Sequence, residues 1–365
     1  MEIYLDYNAA APLMPAARAA VVAGLDLLNA SSVHGPGRAA RAAVTTARNI
    51  TAEYLGVRPA QIVFTSSATE ALVTALRGAA VEGYFISAVE HEAVRTTVQT
   101  LPNFFVMPVD ENGLINLETL HAVLQKSTAP ILVAMQFANN ETGVIQPIAE
   151  VMKICRKHGA LLLVDAVQAV GRINIAPLQG ADITVISTHK MGGPKGAAAL
   201  VLREGLSIMP LLTGGGQEER RRAGTENVAA IMGMGAAIEH ISDSLNKMPQ
   251  LAQWRDQMEK DILSAVPQIQ IFGQNTPRIT NTSMMALPGA AASTQLMNLD
   301  LAGIAVSSGS ACSSGKVGPS HVLSAMGAPP KAASAAIRVS SGWTSRAEDF
   351  ARFTQVYLDM AQRFA

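Results

Sequence analysis

The feature that most constrains this chain is an alternation that fills its first two thirds. Short compact apolar runs, several of them apolar throughout rather than alternating, take turns with longer stretches apolar on one side only. Gln61-Ile62-Val63-Phe64-Thr65 is one such run, and the helical pattern after it sets Ala71, Leu72, Ala75 and Leu76 on one face. Residues 84–87, 104–106, 130–137, 160–164, 182–187 and 198–202 repeat the strand-like theme, with helical patterns at 91–101, 117–124 and 148–158 between them. A strand with one wet face alternates, whereas a strand covered on both faces need not. The pattern therefore predicts a large doubly wound α/β domain over residues 16–228, its helices covering both faces of a parallel sheet.

After Gly214-Gly215-Gly216 the rhythm changes. Two long helical patterns, near 229–245 and 251–266, precede short strands near 269–272 and 282–286, a helix near 294–301 and a strand at 337–340. The spacing Ser345-x-x-Glu348 predicts a capping box at the start of the last helix. Phe350, Phe353, Val356, Tyr357 and Met360 follow it at helical period. Residues 229–365, completed by residues 1–15, are expected to form a smaller α+β domain.

Composition removes several function classes. With 49% hydrophobic residues in 365, the chain can bury a sizeable core. Its 28 basic and 28 acidic residues cancel, so no bulk field draws it to nucleic acid or to an anionic membrane. The longest apolar runs, such as 229–238, are about half the ~20 residues of a membrane helix. The start, Met1-Glu2-Ile3-Tyr4-Leu5-Asp6, lacks the basic region of a signal peptide. A cytoplasmic protein with neither nucleic-acid nor membrane partner is expected. Cys155 and Cys312 are the only cysteines, which excludes a disulfide framework and a four-cysteine zinc site, and no metal site is expected.

Ligands of open α/β sheets sit at the carboxyl ends of the strands. The polar residues falling there are Ser66-Ser67-Ala68-Thr69-Glu70, Asn139-Asn140-Glu141, Asp165-Ala166-Val167-Gln168 and Ser187-Thr188-His189-Lys190. Each has a bland reading as a cap, a turn or a solvated loop. Together they set an anion cradle at a helix start, a carboxylate, an amide and a lysine on one sheet edge. No Rossmann fingerprint follows a strand, since Gly233-Met234-Gly235 runs into Ala236-Ala237-Ile238. Gly309 to Lys316 has one residue too many for a P-loop, and Val317 stands where a magnesium ligand is required. The set instead fits pyridoxal 5′-phosphate, with the lysine as Schiff base and the carboxylate on the ring nitrogen. His91 is a candidate proton carrier, or a surface histidine at a helix start. Cys312, in Ser307-Ser308-Gly309-Ser310-Ala311-Cys312-Ser313-Ser314-Gly315, is a candidate nucleophile on a Gly/Ser-rich loop, or an idle thiol. Cys155 falls on the apolar side of a helix and is expected to be buried and inert. Arg338, flanked by Ile337 and Val339, awaits an anion, either a substrate carboxylate or an internal partner.

These residues, in this order, resemble the cysteine desulfurases, pyridoxal-phosphate enzymes with the aspartate-aminotransferase-like fold. The likeness runs from Tyr4-Leu5-Asp6-Tyr7-Asn8-Ala9-Ala10 through the strand-end motifs to Gly214-Gly215-Gly216-Gln217-Glu218, Arg222-Ala223-Gly224-Thr225, the cysteine segment and Ile337-Arg338-Val339-Ser340. It implies that Lys190 is the Schiff-base lysine, Asp165 the partner of the pyridine nitrogen and Gln168 the donor to the ring hydroxyl. Asn140 then lies at cofactor and substrate, and His91 stacks on the ring and moves protons. Ala68, Thr69, Ser187 and His189 match the phosphate end. Thr225 resembles a threonine reaching the phosphate of a second subunit, which implies a homodimer. Arg338 looks like the clamp on the cysteine carboxylate, and Cys312 like the thiol that forms a persulfide. The implied reaction converts L-cysteine to L-alanine and passes sulfur to an acceptor protein, an iron–sulfur scaffold among the candidates. A selenocysteine lyase or another class V lyase or aminotransferase is the alternative on this fold, because those reactions ask less of Cys312.

Overall fold

The apolar runs at 131–135, 162–164 and 198–202 turn out to have both faces covered, whereas Phe104, Phe105 and Val106, on the strand at the sheet edge, stay exposed. The computed structural model describes residues 2–309 and 318–364. A two-residue strand β1 (Ile3–Tyr4) leads to helices α1 (Pro15–Leu25) and α2 (Gly35–Leu55). Then follow β2 (Ile62–Thr65), α3 (Ala68–Gly78), β3 (Gly83–Ser87), α4 (Glu92–Val98), β4 (Phe104–Met107) and α5 (Leu117–Lys126). After these come β5 (Ile131–Gln136), α6 (Ile148–His158), β6 (Leu161–Asp165), β7 (Ile183–Ser187) and β8 (Ala198–Leu202). Strands β2 to β8 form one sheet in the order β2-β8-β7-β6-β5-β3-β4.

Successive residues of β5 enter opposite cores. Ile131, Val133 and Met135 pack with Val44 of α2 and Val151 of α6, whereas Leu132 and Ala134 pack with Leu72 and Leu76 of α3 and Val94 of α4. Each large apolar side chain buried this way contributes about 1.5–3 kcal/mol. A charge on either face of β5 would therefore be expelled.

The sheet departs from the parallel expectation at one strand. β8 runs antiparallel to both β7 and β2, while β3 to β7 pair in parallel. The cause is the connection. A parallel return needs a crossover of a dozen or more residues, usually a helix. Residues 188–197 contain only a single 3-10 turn, Thr188–Lys190, so the chain turns straight back. That turn carries Lys190.

The remainder comprises α7 (Val228–Glu239), α8 (Ile241–Ala265), β9 (Gln270–Ile271), β10 (Thr282–Ala286) and α9 (Ala292–Leu301). It continues with β11 (Ile304–Ala305), β12 (Ser307–Ser308), α10 (His321–Ala325), α11 (Pro330–Ala335), β13 (Ala336–Ser340) and α12 (Ala347–Ala361). A second, antiparallel sheet has the order β12-β13-β10-β9. Met285, Ile337 and Val339 face Leu251 and Ile262 of α8 and Phe353 and Tyr357 of α12. Met284 and Ala286 face the other way, toward Val322 and Leu323 of α10. Helix α7, beyond the boundary expected at 228, sends Ala230, Ile231 and Met234 into the core of the first sheet.

The last helix starts differently from its sequence motif. Its N-cap is Arg346, whose N–H donates to the Asp349 carboxylate (2.8 Å), while Ser345 Oγ accepts from the Gly342 N–H (3.1 Å). An acidic residue follows both Ser345 and Arg346 by three, so spacing alone did not choose between them.

The N-terminal segment ties the two sheets together. β1 pairs with β11, and the Ser340 N–H donates to the Leu5 carbonyl (2.8 Å). Six residues on, the Ala11 N–H donates to the His189 carbonyl (2.8 Å). Asn8 and Ala9, between these anchors, are thereby laid against the turn that carries Lys190.

Candidate active site

A cavity of about 250 Å³ opens at the carboxyl ends of β2, β6 and β7. The predicted residues Ala68, Thr69, His91, Asn140, Asp165, Gln168, His189, Lys190 and Arg338 all line it, together with Asn8, Ala9, Ser67, Leu72, Gln136, Ala138 and Val167. Nine residues spread over 270 positions of sequence meet because nearly all of them end a strand, lie in the turn after it or start the element that follows. The exception is Arg338, which comes from the middle of β13 in the other sheet.

Each side chain is held by its local fold. Ser67 caps α3, its hydroxyl accepting from the Glu70 N–H (3.2 Å), so the helix start bearing Ala68 and Thr69 points its free N–H groups toward the cavity. His91 caps α4 by accepting the Ala93 N–H at Nδ1 (3.1 Å), which puts the proton of the neutral imidazole on Nε2. Asn139 folds the next turn, its Oδ1 accepting from the Glu141 and Thr142 N–H groups (2.8 and 2.9 Å), and so presents Asn140.

Asp165 ends β6 and is buried; its Oδ1 accepts from the Val167 N–H (3.0 Å). Burial raises its pKa, opposed by that hydrogen bond and by the charges of His91 and Lys190. Lys190 Nζ donates to the carbonyls of Asn8 (2.6 Å) and Ala9 (2.7 Å). Gln168 Nε2 donates to the same Asn8 carbonyl (3.0 Å). Burial, with the neighbouring charge of Lys190, lowers the His189 pKa to about 4, so this imidazole is neutral at pH 7.

Arg338 is buried and has the internal partner that one reading of its sequence context expected. Its Nη2 pairs with Asp6 (2.7 Å) and its Nη1 donates to the Asn140 carbonyl (2.9 Å), yet the side chain lines the cavity. Two predicted residues stand away from the lining. Ser187 lies behind His189, bonded to its Nδ1 (2.9 Å), and Thr225 is exposed. Cys312 lies outside the described residues. Cys155 is buried and its thiol is pushed up to about 12 by burial, as expected of an inert cysteine. Among the described residues no cluster of His, Cys, Asp and Glu could hold a metal ion.

Some lining residues escaped the sequence reading. Gln136 is the last residue of β5, where the strand-end rule points, but its apolar neighbours masked it. Asn8 belongs to a quoted motif without a role. Asp6, the partner of Arg338, is signalled by nothing local.

Comparison with known proteins agrees with this geometry. A family model described as Aminotransferase class-V matches residues 3–353. A cysteine desulfurase of Cereibacter sphaeroides is 41% identical over 362 residues, covering 95% of this chain and 92% of that protein. Cysteine desulfurase IscS of Dictyoglomus turgidum is 39% identical over 363 residues, covering 95% and 91%. Among solved structures, a NifS-like protein from Rickettsia africae aligns with a TM-score of 0.90 at 35% identity, covering 99% of this chain and 100% of that one. The structure described as SspA in complex with cysteine aligns with a TM-score of 0.80 at 27% identity, covering 93% and 98%.

This family depends on pyridoxal phosphate, and the donor set fits it. A helix start for a phosphate, a lysine amine for an aldehyde and a carboxylate for a pyridine nitrogen share one cavity. Asp165 is a buried carboxyl at the end of β6 whose pKa burial raises, and a protonated ring nitrogen would be a fitting partner for its charge. On sequence, fold and the residues of its cavity, the chain belongs to the class V aminotransferase family and, within it, to the cysteine desulfurases.

Proposed function

We propose that the protein takes the sulfur of L-cysteine, releases L-alanine and holds the sulfur as a persulfide on Cys312 before passing it to an acceptor protein. The observation that carries this reading is the meeting of Lys190, Asp165, His91 and Arg338 around one cavity. The relatives named as cysteine desulfurases and the related structure bound to cysteine support the substrate.

When bound, pyridoxal phosphate supplies an electron sink for charge developing on the substrate Cα and Cβ. The α3 start, with Ala68 and Thr69, would hold the phosphate, and Asp165 would hold the ring nitrogen in its protonated form. Lys190 would hold the aldehyde, and its free amine would serve as a base at the substrate Cα. Its amine already lies against two carbonyls that can orient it. His91, with its Nε2 proton, is placed to exchange a proton at the substrate. Arg338 receives the substrate carboxylate; its Nη2 is paired with Asp6, while its buried Nε has no hydrogen-bond partner among the described residues.

The balance closes without an external oxidant. The substrate Cβ–S bond breaks, Cβ takes a proton, and the sulfur joins the Cys312 thiolate, giving Cys312-SSH and alanine. We place the enzyme in the cytoplasm as a homodimer, with Thr225 serving the neighbouring subunit and an iron–sulfur scaffold as the acceptor.

The deciding measurement is product analysis with L-cysteine, scoring alanine against pyruvate, together with the mass of the Cys312 peptide. Alanine with one added sulfur on Cys312 is expected. The Cys312→Ala protein should keep its visible cofactor absorbance and form no persulfide. Full sulfur release from that variant would remove the nucleophile from the reading.

A further inference from the structure

Arg172 has no part in the chemistry described so far, yet it is among the most buried charges of the molecule. No carboxylate pairs with it among the described residues, and the charge of Arg338, like burial, works against its own. A buried guanidinium is costly unless its donors are met. Here four oxygens meet them. Nη1 donates to the Gln168 side-chain oxygen and to the Gln168 carbonyl (3.4 Å), and Nη2 donates to the carbonyls of Tyr7 (3.2 Å) and Lys190 (3.1 Å). One side chain thus joins the N-terminal segment, the turn after β6 and the turn after β7, which together make one side of the cavity.

The chemistry of the two groups settles the orientation of Gln168. A guanidinium has five donors and no acceptor. The amide must turn its oxygen toward Arg172 and its nitrogen away. That nitrogen donates one hydrogen to the Asn8 carbonyl (3.0 Å) and keeps a second for an acceptor in the cavity. We propose that Arg172 is a positioning residue, which locks the Gln168 amide with its nitrogen on the cavity side and fixes the Lys190 backbone against it. The proposal rests on pyridoxal phosphate being the group in the cavity, since its ring hydroxyl is then the acceptor that Gln168 serves.

The test is a double-mutant cycle read by the affinity of cofactor-free protein for added pyridoxal phosphate and by the visible absorbance maximum of the complex. Arg172→Met and Gln168→Ala should each weaken affinity about tenfold. Combined, they should weaken it about tenfold in all relative to wild type rather than about a hundredfold, because each removes the same oriented donor. Arg172→Lys, still a pure donor, should hold affinity within about threefold. If Arg172→Met does not fold, Arg172→Gln replaces it. A neutral amide both donates and accepts, so it no longer dictates Gln168, and the same non-additivity is expected. An additive cycle, or wild-type affinity in Arg172→Met, overturns the positioning role alone. A wild-type protein that binds no pyridoxal phosphate overturns the cofactor assignment and this inference with it.

Discussion

The two sides of the cavity are built in different ways. One side is the edge of the seven-stranded sheet: residues 67–69, Asp165, His189 and Lys190 each follow directly from the end of a strand. The other is assembled from afar. Asn8 and Arg338 both donate to the Asn140 carbonyl (3.1 and 2.9 Å), Asn8 also donates to Thr282 (2.9 Å), and Asp6 anchors Arg338. On the sheet edge, position comes from backbone ladders that a side-chain change leaves intact. On the assembled side, the groups that face substrate also hold the second sheet to the first. Chemistry and stability should therefore separate on one side and travel together on the other.

Lys190→Ala gives the largest effect. Turnover should fall on the order of 10³-fold or more, and the visible absorbance of the bound cofactor should vanish. The thermal midpoint of the cofactor-free protein should match wild type, as calorimetry would show. Arg338→Met should do both kinds of damage, raising KM for cysteine and costing about 1–3 kcal/mol by taking the donor from Asp6 and from the Asn140 carbonyl. Urea unfolding that found wild-type stability in this variant would break the comparison.

A smaller effect, with a pH signature, is expected behind the assembled side. Glu141 is buried, takes a hydrogen bond from Ser320, and has its pKa raised by burial from 4.5 to about 7. The fold keeps a proton that the unfolded chain has released, so stability falls as pH rises from 4.5 to about 7 and the penalty is complete above that. Glu141→Gln should remove this dependence. The variant's gain over wild type should be least near pH 4 and grow to the order of 1–3 kcal/mol near pH 8. A gain that ignored pH would place the ionisation elsewhere. Asp6→Asn should be mildest, about 1 kcal/mol, because an amide oxygen can still accept from Arg338. A loss as large as that of Arg338→Met would show that the charge of Asp6, beyond its hydrogen bond, is what holds this side.

The same division explains what could be read from the chain. The sheet-edge residues were legible because a strand-end rule converts position in sequence into position in space. Lys190 was legible even though its strand neighbour, β8, runs against the expected direction. The orientation of β8 depends on how little structure residues 188–197 hold, and the apolar run at 198–202 does not encode that. Arg338 was recognised as a charge in need of a partner. The partner, Asp6, lies 332 residues away and is brought near by a backbone ladder through Leu5 and Ser340. Arg172 and Glu141 read as an arginine after a glycine and an acid in a turn. Only burial shows that they are anything else. At α12 the acidic pair Glu348 and Asp349 offered two capping registers, and the choice fell to Arg346 once Ser345 was engaged by Gly342.

Because Cys155 is buried, the chain leaves the experimenter at most one sulfhydryl to address. Packed against the core of the first sheet with its thiol hard to ionise, Cys155 stays silent to alkylating reagents while the protein is native. Any stoichiometric label, mixed disulfide or sulfur atom found on the folded chain reports on the other thiol. Sulfur loading can then be counted on intact protein, without digestion and without a cysteine-free background.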